Sequence, residues 1–334
     1  MNKQELENEE VRQEEKKTKK KKVRKKKTMF GHIRSIISIL LVVGIIGGSY
    51  WYYAFQYRAE VEPETNRKVT NTDSVYTMEQ YLKTLKRNQT VYKYACDEAE
   101  VDNDYGTYVV PGLKSTRTLK VKGDGEAEVC TSMTPQGLAF TEDYILVSAY
   151  CKTKAHDSVI YVIDKESRRF VKEIVLNTKA HVGGMAYDTM NQILWVTGQG
   201  STWAQANAIT LSHLENYSFD DGYHPIEFDM SYNLYKIKRA SFMTYHDGAL
   251  FVGFFTQDNA SVIEKYLINA DGTLYEKEDM NLKRTVGVTE PVAYAVSMQV
   301  ISGKVQGMAF YNNKILLTRS WGILPSEVQI FNYS

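Results

Sequence analysis

The stretch that decides the fold is Gln136-Gly137-Leu138-Ala139-Phe140 followed by Tyr144-Ile145-Leu146-Val147-Ser148. Three further stretches superpose on it. They are Gly183-Gly184-Met185-Ala186-Tyr187 with Ile193-Leu194-Trp195-Val196-Thr197, and Ala240-Ser241-Phe242-Met243-Thr244 with Ala249-Leu250-Phe251-Val252-Gly253. The last is Gln306-Gly307-Met308-Ala309-Phe310 with Ile315-Leu316-Leu317-Thr318. Each reads as a small residue, apolar or aromatic positions, a polar turn and a strongly apolar strand. The matched residues Gly137, Gly184, Ser241 and Gly307 are 47, 57 and 66 positions apart.

A third strand follows in each unit, most clearly Ser158–Asp164 and Glu327–Phe331, and a fourth closes the first unit at Phe170–Leu176. Tandem four-stranded antiparallel units of about 40–60 residues are the pattern of β-propeller blades. Blades stack face to face, so their middle strands are buried on both sides and read as continuous apolar runs. Small residues at the start of the innermost strand allow close approach at the axis. The sequence therefore predicts an all-β propeller over 105–334, with four recognisable blades and room for a fifth or sixth in 76–130 or 277–302. The last unit ends after its third strand, and Leu119-Lys120-Val121-Lys122 is the expected outer strand that closes the ring. A β-sandwich of similar strands is the competing arrangement.

Working outward, the net charge of +1 over 334 residues hides an asymmetry. The first 34 residues hold thirteen basic side chains against six glutamates, and the remaining 300 hold 28 against 34. The basic charge is thus a tail and not a nucleic-acid-binding face. Region 1–34, with its run from Lys16 to Lys27, repels itself and offers nothing to bury, so disorder is expected. Region 35–57 is uncharged over 23 residues. Its nine Ile, Leu and Val between Ile36 and Ile46 favour insertion by about 3–5 kcal/mol in sum. Tyr50-Trp51-Tyr52-Tyr53 suits the headgroup interface and occupies the place where a small-x-small cleavage site would stand. The reading is an uncleaved signal-anchor in the cell membrane, with the N-terminus cytoplasmic and the rest extracytoplasmic. A cleaved signal peptide and a buried core helix are the alternatives. Region 58–104 is polar and reads as a stalk or cap, with a helix near Met78–Lys86.

The openings Thr134-Pro135-Gln136-Gly137-Leu138-Ala139-Phe140, His181-Val182-Gly183-Gly184-Met185-Ala186-Tyr187 and Lys304-Val305-Gln306-Gly307-Met308-Ala309-Phe310 resemble blade openings of bacterial extracytoplasmic propellers. The group is the one similar to quinoprotein-like, lactonase-like and TolB-like propellers. The resemblance covers about 105–334 and implies fold and surface location. It does not carry function, because such folds host hydrolases and scaffolds alike. Where enzymes of the group hold a metal with acidic and amide side chains, this chain offers Gln136, His181, Arg239 and Gln306. That departs from a lactonase-type calcium site.

Nucleotide, serine-hydrolase, zincin and paired CxxC motifs are missing from the sequence, and no cofactor or metal is expected. Asp102-Asn103-Asp104-Tyr105-Gly106 lacks the later ligands of a calcium loop. His213, Glu215 and His224 have no regular spacing on one element. Cys130 and Cys151 flank the first hairpin and are the expected disulfide, worth about 3 kcal/mol in the chain-entropy model; two free thiols are the alternative, and Cys96 is left over. The candidate ligand-binding set is the blade openings Gln136, His181, Arg239 and Gln306. Neighbouring loops add Lys152, His156, Trp203, Arg319 and Trp321. Arg239, His181 and the two amides would suit an anionic or carbonyl-rich ligand, and the tryptophans a sugar face. Alternatively these side chains plug the channel by bonding to one another. The expected function is a membrane-displayed binding or scaffolding module for an envelope protein or carbohydrate, without nucleic acid. The rivals are a sugar- or lactone-processing enzyme and a purely structural envelope protein.

Overall fold

The computed structural model describes residues 3–51, 86, 87, 89, 115–123, 125–167, 169–276, 290–322 and 326–333. The stalk helix expected near Met78–Lys86, Cys96 and the loop at Asp102–Gly106 lie outside these residues, apart from Lys86 itself.

The described residues of the N-terminal unit form one continuous helix, α1 (Lys3–Trp51). It begins well before the apolar segment, so the basic tail is helical where charge density alone predicts disorder. Lys, Glu, Arg and Gln are good helix formers, and Glu15–Lys19 stands at the favourable i,i+4 spacing. The stretch Gly31–Trp51 is long and apolar enough to cross a membrane, and none of it is buried by the protein.

The second unit opens with a hairpin of β1 (Thr116–Leu119) and β2 (Ala127–Cys130). Four sheets follow. The first is β3 (Met133–Phe140), β4 (Tyr144–Cys151), β5 (Val159–Asp164) and β6 (Phe170–Val175), antiparallel in chain order. The second is β7 (Met185–Asp188), β8 (Ile193–Gln199), β9 (Ala204–Thr210) and β10 (Met230–Leu234), with the short helix α2 (Leu211–Asn216) between its last two strands. The third begins with β11 (Phe242–His246), β12 (Ala249–Gly253) and β13 (Ala260–Leu267). The chain then adds β14 (Val292–Ala293) in parallel to β10, and returns to complete the third sheet with β15 (Ser297–Ser302). The fourth has three strands, β16 (Val305–Tyr311), β17 (Lys314–Arg319) and β18 (Glu327–Asn332).

These sheets are the four blades of a propeller. Their innermost strands β3, β7, β11 and β16 pack consecutively. The glycine of the repeat sits where this happens. Gly137 N–H donates to Ser148 Oγ at 2.9 Å, and Gly184 N–H donates to Thr197 Oγ1 at 3.0 Å. In the fourth blade the same pair appears reversed, Thr318 donating to the Gly307 carbonyl at 3.4 Å. Ser148 also donates to the Val182 carbonyl at 2.6 Å, tying the first blade to the entry of the second. A Cβ on Gly184 would lie 2.5 Å from Thr197 Cγ2 and 2.9 Å from the Met243 backbone nitrogen. Glycine is required there by the approach of the next blade.

Val159, Ile160, Tyr161 and Val162 are fully buried because the first blade is covered on both faces. Leu194, Val196 and Ile209 of the second blade belong to the same cluster, as do Leu119 and Cys130 of the hairpin. Each such side chain contributes about 1.5–3 kcal/mol. Thr116 Oγ1 lies 2.6 Å from the Tyr161 hydroxyl, which satisfies the one polar atom the strand puts into this core. A second cluster, with Trp195, Tyr232, Leu250 and Tyr266, joins the second and third blades. The third and fourth share a smaller one around Phe242, Ile263, Val305 and Leu317.

Two expectations are corrected. The segment at Leu119–Lys122 does not close the fourth blade. Leu119 ends β1, Lys120 bridges His156, and Val121 N–H donates to the Ala155 carbonyl. Arg117 is held between Glu173 and Asp220, with Phe219 and Tyr223 rings beside its guanidinium. A strand so engaged on the first blade cannot also edge the fourth. Nor do the described residues of 277–302 make an extra blade: β15 is the outer strand of the third, reached only after a detour along the second.

Candidate functional site

The predicted ligand residues lie at and around the blade openings, and each has its own surroundings. Gln136 is exposed and its side-chain amide turns back to the Pro135 carbonyl at 2.8 Å. His181 stacks on Tyr150 with ring centres 3.9 Å apart. Burial, helped by the nearby Lys154 charge, lowers its pKa below the ordinary imidazole value. Arg239 and Lys152 are exposed. Gln306 donates to the Ser320 carbonyl at 3.3 Å. Arg319 is committed to the Gly303 carbonyl (2.8 Å) and Glu327 (3.1 Å). Trp203 is buried edge-on against Tyr235, beside Val292 and Tyr294, and is packing rather than a platform. Trp321 remains on the surface near Phe255. His156 belongs to a different cluster, described below.

A cleft of a different kind lies between the third and fourth blades. Alternation puts Phe251, Ile263, Lys265, Ser297, Gln299 and Ile301 on one face of the third blade. Met308, Ile315, Leu317, Gln329 and Phe331 line the facing side of the fourth. The two faces pack together near the inner strands and splay apart at β15 and β18, leaving a cleft of about 660 Å³. Its floor is apolar. Its walls carry amides and one cation, with Lys265 Nζ 5.4 Å from the centre of the Phe251 ring. The Ser302 hydroxyl donates to Gln329 Oε1 at 2.8 Å, a single polar tie across the opening. A cleft of this size, apolar with a few fixed polar groups, has the build of a ligand site.

None of the nine predicted residues lines this cleft. The readable signal was polar Gln299, Gln329 and Lys265 on strand faces that alternate toward another blade, where apolar residues are the rule. Here the opening is created by outer strands that diverge, and divergence is not written in any single repeat.

A second cluster forms where the hairpin meets the first blade. Cys130 ends β2, Cys151 ends β4, and His156 lies in the following loop. The expected disulfide is not formed in the structure; both are free, buried thiols. Burial pushes the Cys130 thiol up to about 12, against the Ser132 N–H that favours its thiolate. Burial also raises Cys151, but contacts from Thr153, His156 and Cys130 outweigh it and bring it down to about 6. His213, named earlier in the sequence, sits on α2 and pairs with Asp229 at 3.0 Å.

No protein-family model matches the chain, and no curated protein matches its sequence. Among solved structures the chain is similar to hydrazine synthase of Kuenenia stuttgartiensis, at 13% identity over 60% of this chain and 51% of that one, with a TM-score of 0.36. It is also similar to glutaminyl cyclase of Myxococcus xanthus, at 14% identity over 56% of this chain and 62% of that one, with a TM-score of 0.32. The matched part is less than two thirds of either protein, and similarity this low carries no argument about activity. Blades and helix together define the class: a β-propeller domain preceded by one helix apolar enough to anchor it in a membrane.

Proposed function

We propose that the chain is a single-pass protein of a bacterial cell membrane that displays its propeller outside the cytoplasm as a binding module. The cleft between the third and fourth blades is the observation that carries this reading. Amides at Gln299 and Gln329 offer both donors and acceptors, Lys265 supplies a cation, and the exposed Phe331 supplies a ring face. That combination suits a hydroxyl-rich, neutral or anionic envelope carbohydrate. The helix Gly31–Trp51 has no protein over it, and the Lys and Arg bias before Ser35 orients the N-terminus inward. Blade openings holding Gln136, His181, Arg239 and Gln306 give a glycosidase or lactonase no axial carboxylates to work with, which favours binding over catalysis.

The test is titration of the detergent-solubilised chain with defined cell-wall oligosaccharides, read by tryptophan-independent calorimetry. The expected result is saturable binding that Lys265→Glu and Gln299→Ala weaken at least tenfold, while Arg239→Ala leaves it unchanged. Binding that follows Arg239 and His181 instead returns the site to the channel mouth. Binding of an envelope protein but no oligosaccharide replaces the ligand class.

A further inference from the structure

We propose that Cys130, Cys151 and His156 form a metal site for a thiophilic divalent cation of the Zn²⁺ class, which clamps the β1–β2 hairpin onto the first blade. The two sulfurs and one imidazole nitrogen all lie within 4.8 Å of one another. An ion at the centre of such a triangle is at most about 2.8 Å from each, and contractions of about 0.5 Å for the sulfurs and about 0.7 Å for the nitrogen reach Zn–S and Zn–N bond lengths. Three elements bring the ligands together, as independent strands must if a metal is to fasten them.

The histidine is oriented for the task. Its Nε2 lies 3.2 Å from Glu128 Oε2, and its Nδ1 faces Cys151 Sγ at 3.5 Å. An Nε2–H donated to the carboxylate leaves the Nδ1 lone pair pointing at the sulfurs, which is the carboxylate–histidine–metal arrangement. Glu128 is itself fixed by Lys120 at 3.1 Å, and the backbone bridge from Lys120 to His156 sets the loop. Two soft thiolates and an imidazole select a borderline or soft ion over Ca²⁺ or Mg²⁺. On binding, both sulfurs ligate as thiolates, the buried Cys130 thiol releasing its proton to solvent, and the imidazole ligates through its Nδ1 lone pair. This site stands apart from the cleft, and its failure would leave the carbohydrate reading untouched.

The experiment uses the full chain in detergent, kept reduced with a phosphine and titrated with Co²⁺ as the spectroscopic stand-in for Zn²⁺. The account predicts one equivalent bound, with thiolate-to-cobalt charge-transfer absorption that Zn²⁺ displaces. Cys130→Ala, Cys151→Ser and His156→Gln should each abolish or shift that band. Glu128→Gln, a change at a half-exposed position that leaves the core intact, should weaken binding about 10–100-fold with unchanged circular dichroism. Zn²⁺ should also raise the melting temperature of the wild type and not of His156→Gln. A reduced wild type with no thiolate–cobalt band overturns the proposal, as does equal affinity in His156→Gln. A chain isolated from membranes with Cys130 and Cys151 joined as a disulfide overturns it too.

Discussion

The first and fourth blades carry the same repeat and end in different states. Both have a small residue in the inner strand, an apolar second strand and an apolar third strand. In the first blade Ile160, on the third strand, has no exposed surface; in the fourth, Ile330 is 62% exposed and Val328 59%. Composition does not explain the difference. The first blade lies between the second blade and the β1–β2 hairpin, whereas the fourth shares its core with the third and, among the described residues, has three strands. An apolar strand is core only where neighbours cover both of its faces, and the repeat alone does not supply them.

The sharpest way to break this comparison is a matched pair of truncations. Ile160→Ala removes fully packed methylenes and should cost about 3–4 kcal/mol in urea unfolding, while Ile330→Ala should stay within about 0.5 kcal/mol. Equal costs would mean that the fourth blade is as enclosed as the first. Next in size is Arg117→Ala. Its guanidinium spans Glu173 at 3.7 Å and Asp220, with the Glu173 side chain only 9% exposed. Losing the cation removes the charge that faces two carboxylates and the packing on Phe219 and Tyr223, and should cost about 2–3 kcal/mol, loosening the hairpin from the first blade.

Smaller again is the contrast between repeat glycines. Gly184→Ala drives a Cβ into Thr197 and the Met243 backbone and should cost about 1–3 kcal/mol. At Gly307 the one close neighbour is the Thr318 hydroxyl at 2.9 Å, so its Ala variant should be the milder of the two by thermal unfolding. The smallest effect is that of His181. Its lowered pKa means that the unfolded chain binds the proton more readily than the folded one. Stability from this group is present above the ordinary imidazole value near 6.5 and is lost as pH falls through the depressed one. His181→Gln should therefore flatten the stability profile slightly below pH 6.5, and a profile steeper than wild type would contradict the assignment.

The blades were legible because their signals are local. Ile145–Val147, Ile193–Val196 and Leu250–Val252 are runs that only doubly covered strands tolerate, and Gly137 and Gly184 mark the inner-strand contacts. The apolar helix was legible for the same reason. What the repeat could not reveal is long-range. The return of β15 to the third sheet, the docking of Leu119 and Lys120 beside His156, and the splaying of β18 from β15 are decided between elements distant in sequence. Side-chain commitments are long-range too: Trp203 packs edge-on against Tyr235, and Arg319 bonds to Gly303 and Glu327, partners that no motif records. The turn between β3 and β4 was enough to bring Cys130 and Cys151 near each other, but the meeting of His156 with Glu128 depends on the bridge between Lys120 and His156, which the sequence does not announce.

The central claim, that the loosely joined third and fourth blades receive the ligand while the first is scaffold, is tested most directly by amide hydrogen exchange on the full chain with and without cell-wall oligosaccharide. The account predicts rapid exchange of β15 and β18 in the free protein, marked protection of both on binding, and no change in β4 or β5. Protection centred on His181 and Arg239, with β15 and β18 unaltered, would contradict it.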